Sequence, residues 1–129
     1  MKNKALEQVI EFHEKFGHKV AFIQSRSDER EITKEEADTI TLRRKLIMEE
    51  FQELMEAPFL DDVMKEACDL VYVVLGMFVE FGWDFDEAFS RVHESNMSKL
   101  GEDGEPIHRE DGKVLKGPNY KQADLSDLV

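Results

Sequence analysis

The sequence has one cysteine and few basic residues, and each scarcity excludes a class of protein. A lone Cys68 cannot form an intrachain disulfide, which is typical of a reducing, cytoplasmic setting. Lys and Arg number 17 against 29 Asp and Glu, so the formal net charge is −12. Nucleic acids and anionic membranes bind proteins that carry positive charge. We therefore expect a cytoplasmic protein that binds neither.

Long hydrophobic runs are also missing. The longest apolar run covers residues 70–79 and is closed by Asp69 and Glu80, whereas a membrane-spanning helix needs about 20 residues. A length of 129 residues suits one domain with one core. Nine Phe and a hydrophobic fraction of 41% exclude a disordered acidic chain.

Glycine and proline are sparse in residues 1–100, because four of the seven Gly and two of the three Pro lie in residues 101–129. Helical spacing of apolar residues fills much of the first part. We predict an all-α fold: a four-to-five-helix bundle in residues 1–100, with an irregular, Gly-rich tail in residues 101–129 as part of the same domain. In the tail, Asp111-Gly112 between short apolar flanks predicts a hairpin. Residues 18–32 have weak periodicity and predict only a loop.

Capping residues and helix breakers set the expected bounds of the first two helices. The first helix is expected over about residues 4–16, with Gly17 ending it. Thr33 and Glu36 form a capping box, which opens a long second helix that runs towards Pro58.

The same signals bound the next two helices. Asp61 or Asp62 is expected to cap the third helix, and Gly82 to end it. Asp84 and Glu87 form a second capping box, which opens a fourth helix that ends near residue 100.

The third helix is apolar nearly all round between residues 70 and 79. A helix without a polar face needs cover on every side, and the rest of this short chain offers little. A second copy of the chain would supply it, so we expect a homodimer or a dimer of dimers.

Four acidic residues lie on or beside the apolar faces of the second and third helices. Glu50 and Glu53 are three residues apart, as are Glu66 and Asp69, so the members of each pair face the same way. At about 100° per residue, Glu50 and Glu53 fall among apolar neighbours. Glu66 lies within the apolar stripe of its helix and Asp69 at the edge of that stripe.

These pairs match across the expected turn at Pro58. The residue numbers of Glu50 and Asp69 add to the same total as those of Glu53 and Glu66, so in antiparallel helices all four lie at one height. Converging carboxylates need compensating charge, and oxygen ligands suit Mg²⁺, Mn²⁺ or Ca²⁺ rather than zinc.

Two other interpretations of these acids, a solvated helix face and a di-iron site, fit the sequence less well. An E-x-x-E pair taken alone is usually part of a solvated helix face. A di-iron bundle would need Glu-x-x-His pairs, and the four histidines lie outside this register. Two acid pairs matched on apolar faces favour a site for divalent cations.

These residues resemble the signature of the all-α nucleoside triphosphate pyrophosphohydrolases, a superfamily of MazG-like, dimeric dUTPase and phosphoribosyl-ATP pyrophosphohydrolase-like proteins. The signature is Glu49-Glu50-x-x-Glu53 followed by Glu66-x-x-Asp69. The likeness extends to the segments Glu11–Gly17, His93–Leu100 and Asp111–Tyr120.

The resemblance implies Mg²⁺-dependent cleavage between the α- and β-phosphates of a nucleotide, giving a monophosphate and pyrophosphate. Mn²⁺ could replace Mg²⁺. Glu50, Glu53, Glu66 and Asp69 would hold the metal, and Glu50 or Glu49 would take a proton from water. The nucleotide stays open among non-standard or excess dNTPs, dUTP, dCTP and phosphoribosyl-ATP.

Polar and basic residues of the fourth helix and tail would bind the substrate: Asn96, Lys99, Lys113, Lys116 and Tyr120. Asn96 lies on an apolar stripe and is expected to point inward. By themselves, Lys113 and Lys116 would be solvated charges, Lys99 a lysine that complements the helix dipole, and Asn96 a core amide. A non-catalytic helical dimer that serves as an interaction or regulatory module is the alternative function.

Overall fold

The computed structural model describes residues 3–21 and 31–129. Within them the elements are α1 (Lys4–Lys15), α2 (Lys34–Glu56), α3 (Leu60–Phe81), α4 (Phe85–Met97), β1 (Ile107–His108), β2 (Val114–Leu115) and a 3-10 helix (Ser126–Leu128). The all-α prediction is confirmed, including the tail with its short hairpin. Residues 22–30 of the expected loop lie outside the described residues. No helix in the described part is long and apolar enough to cross a membrane.

The chain divides into two compact units between Trp83 and Asp84. Among the described residues, the first unit contains α1, α2 and α3, and the second contains α4, the hairpin and the tail. That residues 1–100 and 101–129 form one domain stays a prediction.

Local capping explains where α2 begins. The Thr33 hydroxyl accepts from the Glu36 amide at 3.2 Å, and the Glu36 carboxylate accepts from the Thr33 amide at 3.1 Å. The predicted capping box is therefore confirmed. Gly17 after α1 and Gly82 after α3 have φ of 72° and 67°, which favours glycine and ends each helix as expected.

The predicted caps of α3 are wrong. Its N-cap is Phe59, without a side-chain cap, and Asp61 and Asp62 lie in the first turn. Ala57 is extended (ψ 122°), as a residue before proline must be. The helix therefore starts at Leu60, two residues after Pro58, and the two carboxylates lie at the positive end of its dipole instead.

The second capping box forms only in part. Asp84 accepts from the Glu87 amide at 3.1 Å, but the Glu87 carboxylate accepts from Arg91 Nε at 2.9 Å. The helix also ends at Met97, before the expected residue 100. The Ser98 hydroxyl donates to the Ser95 carbonyl at 2.6 Å, a local bond that competes with helix continuation.

The core of the first unit lies where α3 packs against α1 and α2. Val9 of α1 and Leu75 and Val79 of α3 are buried. On α3, Val71 and Tyr72 stay 55% and 38% exposed. Part of the apolar surface that predicted a second subunit is therefore uncovered within one chain.

The tail of the second unit contains the predicted hairpin. β1 and β2 pair antiparallel, with Ile107 opposite Leu115 and His108 opposite Val114. Gly112 has φ of 90°, which the turn requires and other residues rarely adopt. The hairpin prediction is confirmed.

Candidate active site

Four carboxylates meet between α2 and α3. One oxygen from each of Glu50, Glu53, Glu66 and Asp69 lies within 4.8 Å of the others. The helices are antiparallel neighbours joined by a short connection, so the two i, i+3 pairs come to one height. The convergence predicted from the matched spacing is present.

The cluster has unmet hydrogen-bond acceptors. Glu50, Glu66 and Asp69 are partly buried and Glu53 is exposed. The Oε2 atoms of Glu50 and Glu66 are buried and have no hydrogen-bond partner among the described residues. A buried carboxylate oxygen without a partner costs free energy. Unpartnered oxygens in an all-oxygen donor set fit a hard divalent cation.

Lys65 supplies part of the missing positive charge. Its Nζ lies 2.7 Å from Asp69 Oδ2 and 3.3 Å from Glu66 Oε1. Hydrogen bonding to Asp69, then to Glu66, raises the pKa of Lys65. Sequence reasoning missed this residue, although its i, i+4 spacing to Asp69 is a standard signal for a helical ion pair.

Glu49 lies beside the cluster but outside it. Its side chain is exposed on α2, and it is not one of the four converging carboxylates. Glu50, the other expected proton acceptor, is. Whether Glu49 takes part in catalysis stays a prediction.

The second unit brings part of the predicted substrate-binding set together. The Gly117 amide donates to the Lys99 carbonyl at 2.8 Å, which fastens the tail to the end of α4. A Cβ at Gly117 would lie 2.3 Å from the Leu100 carbonyl oxygen, so glycine is required for this approach. Lys116 Nζ then lies 4.8 Å from the Tyr120 ring centre, a cation–π distance.

Two other predicted residues stand apart. Lys113 is exposed in the hairpin, where its backbone amide donates to Asp111 at 3.2 Å. Asn96 is exposed, so the expectation that it points inward is wrong. Phe89 and Val92 of the same stripe are 61% and 39% exposed, because α4 is the only α-helix among the described residues of its unit.

Comparisons with known proteins give one family. No curated protein sequence matches the chain significantly. The crystal structure of a candidate NTP pyrophosphohydrolase from Exiguobacterium sp. 255-15 is 24% identical, covering 95% of this chain and 90% of that chain at a TM-score of 0.44. That likeness is too low to bear on function. The model of the phosphoribosyl-ATP pyrophosphohydrolase family matches residues 9–96, which include all four clustered acids. The chain therefore belongs to the phosphoribosyl-ATP pyrophosphohydrolase family, within the MazG-like all-α NTP pyrophosphohydrolases.

Proposed function

We propose that the protein is a Mg²⁺-dependent nucleotide pyrophosphohydrolase. It cuts a (deoxy)nucleoside triphosphate or related nucleotide between the α- and β-phosphates, giving a monophosphate and pyrophosphate. Family membership supports a nucleotide pyrophosphohydrolase activity in general. The observation that carries the finer proposal is the cluster of four carboxylates, two of whose buried oxygens lack a hydrogen-bond partner within residues 3–21 and 31–129.

Divalent cations would stabilise this cluster, because their charge offsets the repulsion among the four carboxylates. Glu50, Glu53, Glu66 and Asp69 would hold Mg²⁺, with Mn²⁺ as a substitute, since both prefer oxygen ligands. When bound, such ions neutralise phosphate charge and make water a better nucleophile. Without them, an acidic cleft repels a polyphosphate.

Proton transfer would fall to a carboxylate in or beside the metal-binding cluster. Water adds across the phosphoanhydride: its oxygen bonds to one phosphorus while that phosphorus loses the bridging oxygen. Glu50, one of the clustered carboxylates, would take the proton that the water gives up, and Glu49 is the neighbouring candidate. The pyrophosphate and the monophosphate then leave as separate anions.

Cationic and polar groups of the second unit would bind the phosphates. These are Asn96, Lys99, Lys113, Lys116 and Tyr120. Lysine ammonium groups form charge-assisted hydrogen bonds with phosphate oxygens. In a chain of net charge −12, Lys113 and Lys116 would supply positive charge for an anion.

Conservative removal of single metal ligands tests the proposal. E53Q and E66Q each keep shape but remove an anionic ligand, so turnover should fall by about 100-fold or more, as when other transition-state charge stabilisers are removed. The melting temperature in metal-free buffer should be unchanged or higher, because repulsion between the carboxylates falls. E56Q, an exposed acid on α2 outside the cluster, is the matched control.

Chromatography of the products and metal omission complete the test. A monophosphate with pyrophosphate, formed only with Mg²⁺ or Mn²⁺, is expected. A diphosphate with orthophosphate, or wild-type turnover by either variant, would contradict the proposal. No turnover of any nucleotide by the wild type would favour the alternative of a non-catalytic helical dimer.

A further inference from the structure

Three polar side chains are buried in the core of the first unit, apart from the acidic cluster. His13 of α1, Arg43 of α2 and Glu80 of α3 are 3%, 5% and 7% exposed. The proposed reaction uses none of them. Charged residues are seldom this deeply buried without a specific reason.

The Arg43–Glu80 pair is poorly satisfied for a buried ion pair. Arg43 Nη2 donates to the Val73 carbonyl, but Arg43 Nε lies 3.7 Å from Glu80 Oε2. Neither of these two atoms has a hydrogen-bond partner among the described residues. Such a pair offers little net stability, because the desolvation of both charges offsets their attraction.

Gly76 has no side chain and so leaves a notch in the surface of α3, which makes room for Arg43. A Cβ at Gly76 would lie 2.1 Å from Arg43 Nη2, 2.8 Å from Cζ and 3.1 Å from His13 Nε2. Gly76 is the only glycine within α3, and glycine is a poor helix former. Gly76 is therefore the place on α3 where the guanidinium group of Arg43 packs directly against the helix backbone.

That height matches the register of the acidic cluster. The residue numbers of Arg43 and Gly76 add to the same total as those of Glu50 with Asp69, so both pairs belong to one antiparallel alignment. Along α2, Arg43 and Glu50 are seven residues apart, which is about 10 Å and two turns on the same face. A shift of α3 by one turn would replace Gly76 with a bulky side chain and separate the carboxylates.

We propose that Arg43, seated on Gly76, is a positioning residue that fixes the register of α2 against α3 and so holds the four carboxylates together. The apolar residues between these helices would tolerate small slips and rotations, whereas a buried polar side chain in a single notch does not. This inference rests on the proposed function, because the helix register affects activity only if the four acids bind a metal ion.

A variant that removes the buried pair without leaving an unpaired charge separates register from stability. R43M/E80L replaces both charged groups with apolar side chains, so its melting temperature should equal or exceed that of the wild type. Its affinity for Mn²⁺, measured by electron paramagnetic resonance of the free ion, should fall about 10-fold, as when ligand-supporting residues are lost. R44M, at the exposed neighbouring position, should match the wild type in both.

A second variant tests the notch itself. G76A improves helix propensity and would stabilise α3 if nothing occupied the notch. Displacement of Arg43 should instead lower the melting temperature and weaken Mn²⁺ binding. A more stable G76A protein with unchanged Mn²⁺ affinity would overturn the proposal.

The helix register can also be measured without metal. Spin labels on Cys68, the chain's only cysteine, and on a T41C substitution, both at exposed positions, report the distance between α3 and α2. Dilution with unlabelled protein removes signals between subunits. A single narrow distance is expected in the wild type and R44M, and a broadened or second distance in R43M/E80L.

The outcomes separate this inference from the proposed function. Failure of the wild type to bind Mn²⁺ would contradict the metal site, while the label distances would still decide the register. Unchanged distances and unchanged Mn²⁺ affinity in a folded R43M/E80L protein would overturn the positioning role.

Discussion

Among single residues, Lys65 contacts the candidate metal site most directly. Its ammonium group bonds Asp69 and Glu66, both of which the proposed cation needs. A bound cation would have to displace this ammonium group or bind beside it, and either lowers metal affinity. Lys65 would therefore compete with the proposed cation.

We predict that K65M binds Mn²⁺ about two- to threefold more tightly than the wild type, a modest effect because the side chain is 66% exposed and surface ion pairs are weak. Isothermal titration at low ionic strength measures the change, and high salt should reduce it. K45M, which removes an exposed lysine of α2, is the control. Weaker binding by K65M would instead make Lys65 a support for the ligands.

His13 makes the stability of the first unit depend on pH. Burial lowers its pKa from 6.5, and the nearby Arg43 and His18 lower it further, against the opposing effects of its bond to the Lys19 carbonyl and of Glu80. The unfolded chain therefore binds a proton more readily than the folded one. The contribution of neutral His13 to the free energy of unfolding is fully present above pH 6.5. It is lost as the pH falls below that value towards the pKa of His13 in the folded protein.

We predict a melting temperature that is steady from pH 8 to about 7 and falls below about 6.5, the ordinary histidine pKa. H13Q, which can still donate to the Lys19 carbonyl, should flatten this part of the profile. H93Q, at an exposed position, should leave it unchanged. The same slope in H13Q and the wild type would assign the effect to other groups.

Some of these residues could be found from sequence and others could not. The four acids could, because helical periodicity fixes the direction of each side chain along its own helix. Arg43 lies on the same apolar side of α2, about 60° from Leu46, yet nothing local reveals that it rests on Gly76. That contact joins two helices.

At the scale of elements, the tail is the segment whose function most needs a test. It is fastened to α4 through Gly117 and Lys99, and again where the Arg91 guanidinium bonds Asp127 at 2.5 Å. Lys116 lies over Tyr120 while Lys113 extends from the hairpin. Both ammonium groups remain available to an anion.

We predict that K113A/K116A raises KM for the nucleotide at least 10-fold with a smaller effect on kcat, since a hydrogen bond to a charged group contributes roughly 1.5–3 kcal/mol. Steady-state kinetics with pyrophosphate release as the signal measures this. K121A, which removes another lysine of the tail, is the control for the kinetics. The circular dichroism spectra of both variants should match that of the wild type, which shows that folding is unchanged. Unchanged kinetics would return Lys113 and Lys116 to solvated surface charges.

The helix ends show which local signals can be trusted. Thr33 caps α2 as expected because both bonds of a capping box lie within four residues. Asp61 and Asp62 were the wrong caps for α3, since Pro58 fixes the path of the chain before either acid is reached. α4 ends early because Ser98 bonds locally.

At the scale of the whole molecule, apolar side chains remain exposed on the α2–α3 hairpin. Those on α2 and in the connection are Leu42, Met48, Phe51, Met55 and Phe59, and those on α3 include Leu60, Val63, Met64, Val71 and Tyr72. Surfaces of this kind mark interfaces, and a closed two-fold pairing is the commonest arrangement.

We predict a homodimer, or a dimer of dimers, that buries part of this surface. Light scattering at micromolar concentration should give at least twice the 15.0 kDa chain mass. Phe51 is 45% exposed, and F51E should shift the protein towards monomer by placing a charge in an apolar contact. Q52E, which adds a charge beside it on α2, is the control. A fully active monomer would contradict the prediction.

Local signals in the chain were sufficient to predict the helical class, most of the helix ends, the hairpin and the four acids at one height. Each depends on periodicity or on bonds between residues close in the chain, so local physics is sufficient. Four features became visible only in the folded chain: Arg43 lies on Gly76, Lys65 bonds the acids, Asn96 is exposed, and the tail is hydrogen-bonded to α4. Each of these features depends on how elements distant in the chain pack together, and periodicity within one helix does not contain that information.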